Sequence, residues 1–338
     1  MSTKIIRILT TQYDLPNIKS IEKVKLGGYL NESFIISTKE GKFFLQQTNK
    51  KLRKNIVAEI NVLEFLGEKK FPTVYLVKNR SDKYLTLDGD DYYLLSKFIE
   101  GHSPVKFNDL SAAQLVEAAK TLAIYHKIIE NYSAPKINNP NTASKDEAIK
   151  ICSEVKEILG GKKKNIDSFD TQIKEIIDKK LSLLYDLKLP DKLSKCPQLF
   201  CHGDYHGANL IFNPEGKIVG IVDWEFFGYD YRIWEVMRSM SFICDIDYTG
   251  SMVGPIDMNK AYKYLKTYTE LYPLTQDEFD VMIELIKYKS ICCCFVIEQH
   301  YLKGNKETDV FLPKKKDNWF WWLENKALFK KKVVDKLI

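Results

Sequence analysis

The sequence predicts an α+β fold in two parts, a small antiparallel sheet with one main helix and then a larger, mainly helical part. Short runs that alternate apolar and polar residues fill 21–47 and return at 73–95, as in strands with one buried face. One helical stripe separates these runs, and helical spacing dominates from residue 110 onward. We therefore expect two domains, at 1–100 and 101–338.

The composition is that of an ordinary globular protein. The chain has 338 residues, with 45% apolar and 28% charged content, which is enough for two lobes. We expect no signal peptide and no membrane span, because no apolar run is long enough for either. The net charge of +6 mildly favours an anionic ligand, but it is too small and dispersed to indicate nucleic acid.

Cysteine usage indicates a reducing compartment. There are seven cysteines, an odd number without a C-x-x-C pair, so neither a disulfide framework nor a zinc site is expected. Cys292, Cys293 and Cys294 lie in an apolar stretch and are expected to be small buried side chains. We therefore expect a cytoplasmic protein, and its size is consistent with a monomer.

The first domain is expected to contain short strands and one helix. The helix at 52–67 is predicted by an apolar stripe that stops near Gly67. The loop after the first strand contains Gly27 and Gly28; glycines there let a backbone approach phosphates, although a plain hairpin turn would look the same. The expected strands are 21–26, 33–37, 42–47, 73–78, 83–87 and 92–95.

The second domain is expected to be mainly helical, with one β-hairpin. Strands at 210–212 and 217–222 flank the turn Asn213-Pro214-Glu215-Gly216, which is a strong hairpin signal. A short strand at 199–201 leads toward this hairpin. The expected helices are 110–130, 143–159, 168–186, 231–245, 258–271, 276–299 and 317–336.

The most informative pattern is His-Gly-Asp-Tyr-His-Gly-Ala-Asn-Leu at 202–210, followed by Asp223. An Asp, an Asn five residues on and a second Asp after a hairpin form the minimum set for moving a phosphoryl group. The hairpin is expected to fold Asp223 back beside Asn209. Their oxygen atoms suit Mg²⁺, to which phosphate and water supply the other ligands.

This motif, with Gly-Ile-Val-Asp-Trp-Glu at 220–225, resembles the aminoglycoside phosphotransferase and choline kinase superfamily. The superfamily includes homoserine kinase-like, N-acetylhexosamine kinase-like and spore-coat relatives. The resemblance extends over nearly the whole chain, from Gly27 to Arg232. It implies a bilobal protein-kinase-like fold and phosphorylation of a small molecule.

The resemblance also implies roles for individual residues. Asp204 would be the catalytic base, and Asn209 and Asp223 would bind Mg²⁺. ATP would meet backbone groups of Lys97, Phe98 and Ile99 at adenine and the loop with Gly27, Gly28 and Asn31 at the phosphates. Glu59 matches a helix glutamate that anchors a phosphate-binding side chain.

One residue departs from the family pattern. The third strand should present Lys or Arg to the phosphates, and Gln46 occupies that place. An amide can donate a hydrogen bond to phosphate but brings no charge. Some sugar-kinase branches of the superfamily look similar. The alternative is a chain that has lost ATP use and serves as a kinase-like binding or spore-coat-type structural protein.

Several other residues have two interpretations. His202 and His206 could be metal ligands, although packing suits His202 better and His206 is a candidate substrate contact. His126 suits a satisfied core position. Trp319, Trp321 and Trp322 could stack on a sugar or a quaternary ammonium, but core packing is the simpler interpretation.

The acceptor is expected to be a small molecule with a hydroxyl group. Few residues separate Asp223 from the next helix and no Ala-Pro-Glu motif follows, which leaves no room for the activation loop of a protein kinase. The sequence does not determine which acceptor binds. The candidate contact Glu225 and nearby acids could attract the amine of choline, homoserine or an aminoglycoside, whereas Gln46 and the aromatic tail slightly favour a sugar or amino sugar.

Overall fold

The computed structural model describes residues 3–24, 31–51, 55–138, 144–162, 166–247, 254–313 and 315–338. The chain forms two compact units, which are described separately. Unit 1 contains Met1–Ser103, Asn131–Ile137 and Asn209–Phe227, and unit 2 contains Pro104–Glu130, Asn138–Ala208 and Gly228–Ile338. The predicted α+β class is confirmed; the predicted domain boundary at residue 100 stays a prediction.

Unit 1 is built on an antiparallel sheet. Its described strands pair in the order β1-β2-β3-β5-β4. Leu45 of the third strand lies opposite Phe34 of the second and Leu95 of the fifth, so one face of the sheet is apolar at its centre. The strands are β1 (Ser20–Lys23), β2 (Asn31–Ser37), β3 (Lys42–Asn49), β4 (Leu85–Asp88) and β5 (Asp91–Lys97).

Two helices of unit 1 pack on opposite faces of this sheet. Helix α1 (Thr3–Gln12), which we did not predict, buries Ile5 and Leu9 in one apolar cluster with Leu45 and Tyr93. Helix α2 (Ile56–Glu68) packs with Leu94 in a second cluster. Because adjacent residues on a strand point to opposite faces, Tyr93 of β5 packs on the α1 side and its neighbour Leu94 packs on the α2 side.

The predicted strand at 73–78 is wrong. Only Leu76 makes a bridge, to Ser96, and the flanking bonds are Val77 N–H to Leu95 O and Lys97 N–H to Tyr75 O. Strand β4 pairs with Asp91–Leu94, the first half of β5, so only the last three residues of β5 remain for this segment. That length is too short for a ladder.

The predicted hairpin forms in unit 1. Strands β7 (Leu210–Phe212) and β8 (Ile218–Ile221) pair around the expected turn, in which Asn213 accepts from the Gly216 N–H at 2.9 Å. The Asn213 side chain also accepts from the Lys217 N–H. The turn chemistry in the sequence therefore predicted both the strands and their direction.

Unit 2 is mainly helical. Strands β6 (Gln198–Cys201) and β9 (Gly228–Tyr231) pair antiparallel beside the helices. Helix α6 is buried along its whole length. No helix in the described part of either unit is both long and apolar enough to cross a membrane. The helices of unit 2 are α3 (Ala112–Ile129), α4 (Lys145–Gly161), α5 (Ser168–Asp186), α6 (Arg232–Ile243), α7 (Met258–Leu271), α8 (Gln276–Cys292), α9 (Phe295–Tyr301) and α10 (Trp321–Lys332).

The prediction of a single helix at 276–299 is wrong, because the helix is interrupted between α8 and α9. Lys180 of α5 is buried and its ammonium donates to Ile291 O at 2.6 Å and Cys293 O at 3.0 Å. The ammonium gives these carbonyl oxygens at the end of α8 a hydrogen-bond donor, and its charge is favourable at a helix C-terminus. The predicted helix at 317–336 is also shorter, since α10 is flanked by 3₁₀ turns. Trp319 and Trp322 are buried, as expected for packing.

Candidate active site

The Asp204 loop, defined here as residues 202–207, follows β6 in unit 2. Helix α3 holds the chain here from two sides. The Tyr125 hydroxyl donates to Phe200 O and the Tyr205 hydroxyl donates to Ala118 O, both at 2.9 Å. Tyr205 is 2% exposed, so the residue after Asp204 is fixed in the core. The backbone that carries Asp204 is therefore anchored on both sides.

The carboxylate of Asp204 is held by two donors. Arg238 of α6 donates to Oδ1 at 2.8 Å, and His206 Nε2 donates to Oδ2 at 3.1 Å. Arg238 also donates to Gly203 O. Burial by itself raises the pKa of Asp204, but the charge and hydrogen bond of His206 and the charge of Arg238 outweigh it and hold that pKa well below its usual range. The carboxylate therefore stays ionised, and its side chain keeps 17% exposure.

Glu235 fixes the residue before Asp204. Its carboxylate accepts from the Gly203 N–H at 2.7 Å, and its other oxygen lies 2.8 Å from His126 Nε2. His126 Nδ1 lies 2.7 Å from the Tyr268 hydroxyl. His126 is fully buried and Glu235 is 3% exposed. His126 is thus a satisfied core histidine, as expected, and Glu235 lies too deep to attract a substrate amine.

Aromatic rings enclose both donors to Asp204. Phe107 stacks on His206 with ring centroids 3.9 Å apart and planes at 23°. Phe242 meets the His206 ring edge-on at 5.7 Å, and its own ring lies 5.2 Å from the Arg238 guanidinium carbon. Such contacts restrict ring rotation and are worth about 0.5–1.5 kcal/mol each. These rings therefore hold the His206 imidazole in the orientation that donates to the Asp204 carboxylate.

Asn209 and Asp223 lie at the same end of the hairpin in unit 1. Leu210 pairs with Ile221, and the Val222 N–H donates to Asn209 O at 3.0 Å, so Asp223 follows directly after the residue opposite Asn209. Asp223 has φ 65° and ψ 61°, a left-handed conformation that costs a non-glycine residue energy and is concentrated at functional sites.

The donor chemistry at this hairpin end suits Mg²⁺. An amide oxygen and a carboxylate are hard ligands, and Mg²⁺ in nucleotide sites uses few protein ligands because phosphate and water supply the others. Across the described ranges no group of three or more His, Cys, Asp or Glu forms a metal cluster. The residues thus fit an ion shared with a nucleotide and do not form an all-protein cage.

Gln46 faces the α2 side of the sheet in unit 1. It lies opposite Leu94, which packs on Ile56 and Ile60 of α2, whereas the next residue, Gln47, donates to Asp91 on the other face. Glu59 lies on α2 and is 5% exposed. The strand register therefore places the two glutamines on opposite faces of the sheet. The sequence assigned Gln46 to the phosphate-facing position only through its resemblance to the family.

Two backbone N–H groups of the 97–99 connector already donate within the protein. The Lys97 N–H donates to Tyr75 O and the Phe98 N–H donates to Lys42 O. Ile99 packs against the hairpin so closely that a Cβ on Gly220 would lie 2.6 Å from its Cδ1. Glycine at 220 thus lets the connector lie directly on β8.

Two further predicted positions, Asn31 and Glu225, lie in unit 1. Gly27 and Gly28 lie outside the described residues, and Asn31 begins β2. Glu225 lies in the 3₁₀ turn Trp224–Phe226 of unit 1, directly after Asp223. Trp224 and Phe227 of this region pack with each other and, through Tyr132, with Phe65 of α2.

Arg238 and Phe107 are site residues that the sequence motifs did not predict. A signal for Arg238 was present, because Arg232, Glu235 and Arg238 are charged residues three apart in a largely apolar helix, and that spacing places neighbouring members on one face. Buried opposite charges on one helix face indicate a polar site. Phe107 gives no such signal, since it lies in a loop before α3.

Comparisons with known proteins identify a family for this chain. A model of the phosphotransferase enzyme family matches residues 21–255. A homoserine kinase from Caulobacter sp. (strain K31) is 24% identical over 262 residues, which cover 75% of this chain and 73% of that protein.

Two solved structures share the fold. An amicoumacin kinase in complex with AMP-PNP, Ca²⁺ and Ami has a TM-score of 0.61 at 13% identity, covering 99% of this chain and 93% of that one. A microcompartment-associated aminopropanol kinase has a TM-score of 0.62 at 13% identity, covering 97% and 98%. At these identities the likeness concerns the fold alone. The family match, which spans more than half of the sequence, shows that this chain belongs to the phosphotransferase enzyme family and is a small-molecule kinase.

Proposed function

We propose that this chain transfers a phosphoryl group from ATP to the hydroxyl group of a small amine-bearing alcohol, with Asp204 as the catalytic base. The observation that carries the proposal is the Asp204 carboxylate, which Arg238 and His206 hold ionised and oriented at 2.8 and 3.1 Å. A partly exposed, fixed carboxylate is the group that an acceptor hydroxyl needs beside it.

Asp204 acts mainly by orientation. Its lowered pKa makes it a weak base, so it accepts a hydrogen bond from the acceptor hydroxyl and takes the proton only as the new O–P bond forms. Phosphoryl transfer suits such a base, because its transition state is loose and catalysis depends on positioning and charge. The two donors on Asp204 keep the carboxylate from turning away from the acceptor.

Asn209 and Asp223 would hold Mg²⁺ through their side-chain oxygens. When bound, Mg²⁺ neutralises charge on the phosphates. The support on this chain is the pairing of Leu210 with Ile221 and the left-handed backbone of Asp223. A non-glycine residue keeps this backbone where the surrounding structure imposes it, and such positions cluster at functional sites.

The nucleotide would bind to groups of unit 1. Because the N–H groups of Lys97 and Phe98 donate within the protein, adenine would pair with the Ile99 N–H or with carbonyl oxygens of this connector. Gln46 would donate to the phosphates through its amide, and Glu59 would support that face of the sheet from α2. Gly27, Gly28 and Asn31 remain proposed phosphate contacts.

The relatives support one acceptor class. A homoserine kinase matches 75% of this chain, and an aminopropanol kinase shares its fold. Homoserine and aminopropanol both carry an amine and a hydroxyl group, so we place such amino alcohols first and amino sugars second. His206 of unit 2 and Glu225 of unit 1 remain the proposed acceptor contacts.

The test is ADP release with Mg-ATP against homoserine, aminopropanol, ethanolamine, choline, hexosamines and aminoglycosides. Asp204→Asn is expected to lower the rate by at least about 100-fold, while the variant still folds and unfolds cooperatively. Asp186→Asn, an exposed change at the end of α5, is the matched control. The proposal fails if no acceptor stimulates ADP release in the wild type, or if Asp204→Asn keeps its activity.

A further inference from the structure

Phe107 belongs to a short segment, residues 104–109, that joins two parts of the site in unit 2. At one end, the Asn108 amide donates to Asp245 O at 2.7 Å, just beyond the end of α6. At the other, Phe107 O accepts from the Gly207 N–H of the Asp204 loop at 3.2 Å. The segment is therefore attached both to the helix that carries Arg238 and to the loop that carries Asp204.

The contact between Phe107 and Gly207 requires glycine. An ideal Cβ on Gly207 would lie 2.5 Å from Phe107 O and 3.2 Å from its carbonyl carbon. Both atoms belong to the backbone, so a side chain at 207 could be accommodated only if the segment or the loop moved. The two backbones are thus fitted to each other at a defined distance.

The ring of Phe107 covers one face of the His206 imidazole. The centroid distance is 3.9 Å, and Phe242 closes the same ring from its edge at 5.7 Å. A histidine χ2 torsion is broad and roughly two-fold when nothing packs against the ring. Here the packing leaves Nε2 directed at Asp204 Oδ2, so rotation of the imidazole would break a hydrogen bond to the carboxylate.

We propose that Phe107 is a positioning residue for the reaction: it fixes the His206 imidazole, and through it the orientation of the Asp204 carboxylate. This inference rests on the proposed function of Asp204. Phe107 itself touches no reacting atom in this scheme. Its effect is on kcat, because an oriented base matters in the transition state, whereas the nucleotide contacts lie on other residues.

The first test compares Phe107→Leu, which removes the ring and keeps apolar bulk, with Phe107→Tyr, which keeps the ring. Phe107→Leu is expected to lower kcat about 10-fold and to leave the KM for ATP within about 2-fold. Phe107→Tyr is expected to recover most of the rate. Phe295→Leu, at a ring that is 41% exposed on α9, controls for the loss of an aromatic ring elsewhere.

A double-mutant cycle with His206→Gln tests the route of the effect. If Phe107 acts through His206, the variant with both changes is no slower than His206→Gln alone. Gly207→Ala is expected to mimic Phe107→Leu, since its Cβ displaces the segment. Gly160→Ala is expected to keep full activity, because among the described residues nothing outside the local helix lies within 4 Å of the added Cβ.

The outcomes distinguish failure of the Phe107 positioning role from failure of the proposed kinase function. Independent, multiplicative losses in the cycle, or an unchanged kcat in Phe107→Leu, overturn the positioning role while the kinase assignment stands. The NMR signals of the His206 ring provide a structural readout: loss of the ring current in Phe107→Leu supports the stacking, and unchanged signals contradict it. A wild-type chain without phosphoryl transfer contradicts the proposed function and the inference with it.

Discussion

Glu235 accepts a hydrogen bond from the Gly203 N–H at 2.7 Å, one residue before Asp204. The same carboxylate meets His126 of α3 at 2.8 Å, so one buried side chain joins a helix to the Asp204 loop. A buried donor that loses its acceptor costs about 1–3 kcal/mol. This network therefore contributes both to the stability of unit 2 and to the position of Asp204.

Glu235→Ala is expected to lower the free energy of unfolding by about 2–4 kcal/mol, since the Gly203 N–H and the His126 ring both lose their acceptor. Glu235→Gln, which keeps one acceptor oxygen, is expected to cost less. Urea denaturation measures both, with exposed Glu157→Ala on α4 as the control. Equal stability of Glu235→Ala and the wild type would show that this network does not support the fold.

Arg238→Met is expected to change the pH dependence of both activity and stability. Because the pKa of Asp204 is lowered in the folded state, its contribution to stability is complete above the ordinary aspartate pKa of about 3.9 and is lost as the pH falls below that value. Without the Arg238 charge, less opposes the effect of burial, so the pKa of Asp204 rises back toward its ordinary value and the acid-dependent part of the unfolding free energy shrinks.

The corresponding kinetic effect is a shift of the acid limb of kcat to higher pH, since Asp204 then protonates more easily. Rates and unfolding temperatures from about pH 3 to about pH 7 measure the two effects. Arg7→Met, at an arginine whose side chain is 58% exposed in unit 1, is the control. An unshifted acid limb would mean that Arg238 does not tune Asp204.

Gln46→Lys is expected to lower the KM for ATP about 5-fold, because a charged donor to phosphate exceeds a neutral one by roughly 1 kcal/mol. Gln47→Lys is the matched control. It places the same charge one residue along β3, on the opposite face, beside Asp91. Initial rates at varied ATP measure the difference. Equal effects of the two substitutions would contradict the assigned face of Gln46.

The start of α6 is fixed to α8 by a buried ion pair. Arg232 Nε donates to Glu278 Oε1 at 2.8 Å, and both residues are at most 2% exposed. Arg232→Met is expected to lower the unfolding free energy by about 3–5 kcal/mol, since it leaves a buried carboxylate without its cation. Adding Glu278→Gln removes that charge and is expected to restore part of the loss. Denaturant unfolding of both variants checks this, and additive losses would contradict it.

Local patterns predicted much of this structure. Helices α5 and α7 have the predicted bounds 168–186 and 258–271, because their apolar spacing and the caps Asp167 and Asp257 act within a few residues. The strand at 73–78 and the helix at 276–299 failed where a distant group decided the outcome: the short free end of β5 in one case, and the Lys180 ammonium in the other.

The sequence by itself determined the family motif and the hairpin pairing that places Asp223 at the same end as Asn209, since turn residues and strand alternation are local properties. Only the tertiary structure decided how Asp204 is held. Arg238, Glu235 and Phe107 come from α6 and from the segment before α3, and their hydrogen bonds and ring contacts exist only once these elements pack. Burial then converts those contacts into an ionised, oriented carboxylate, because charges interact strongly where water is excluded.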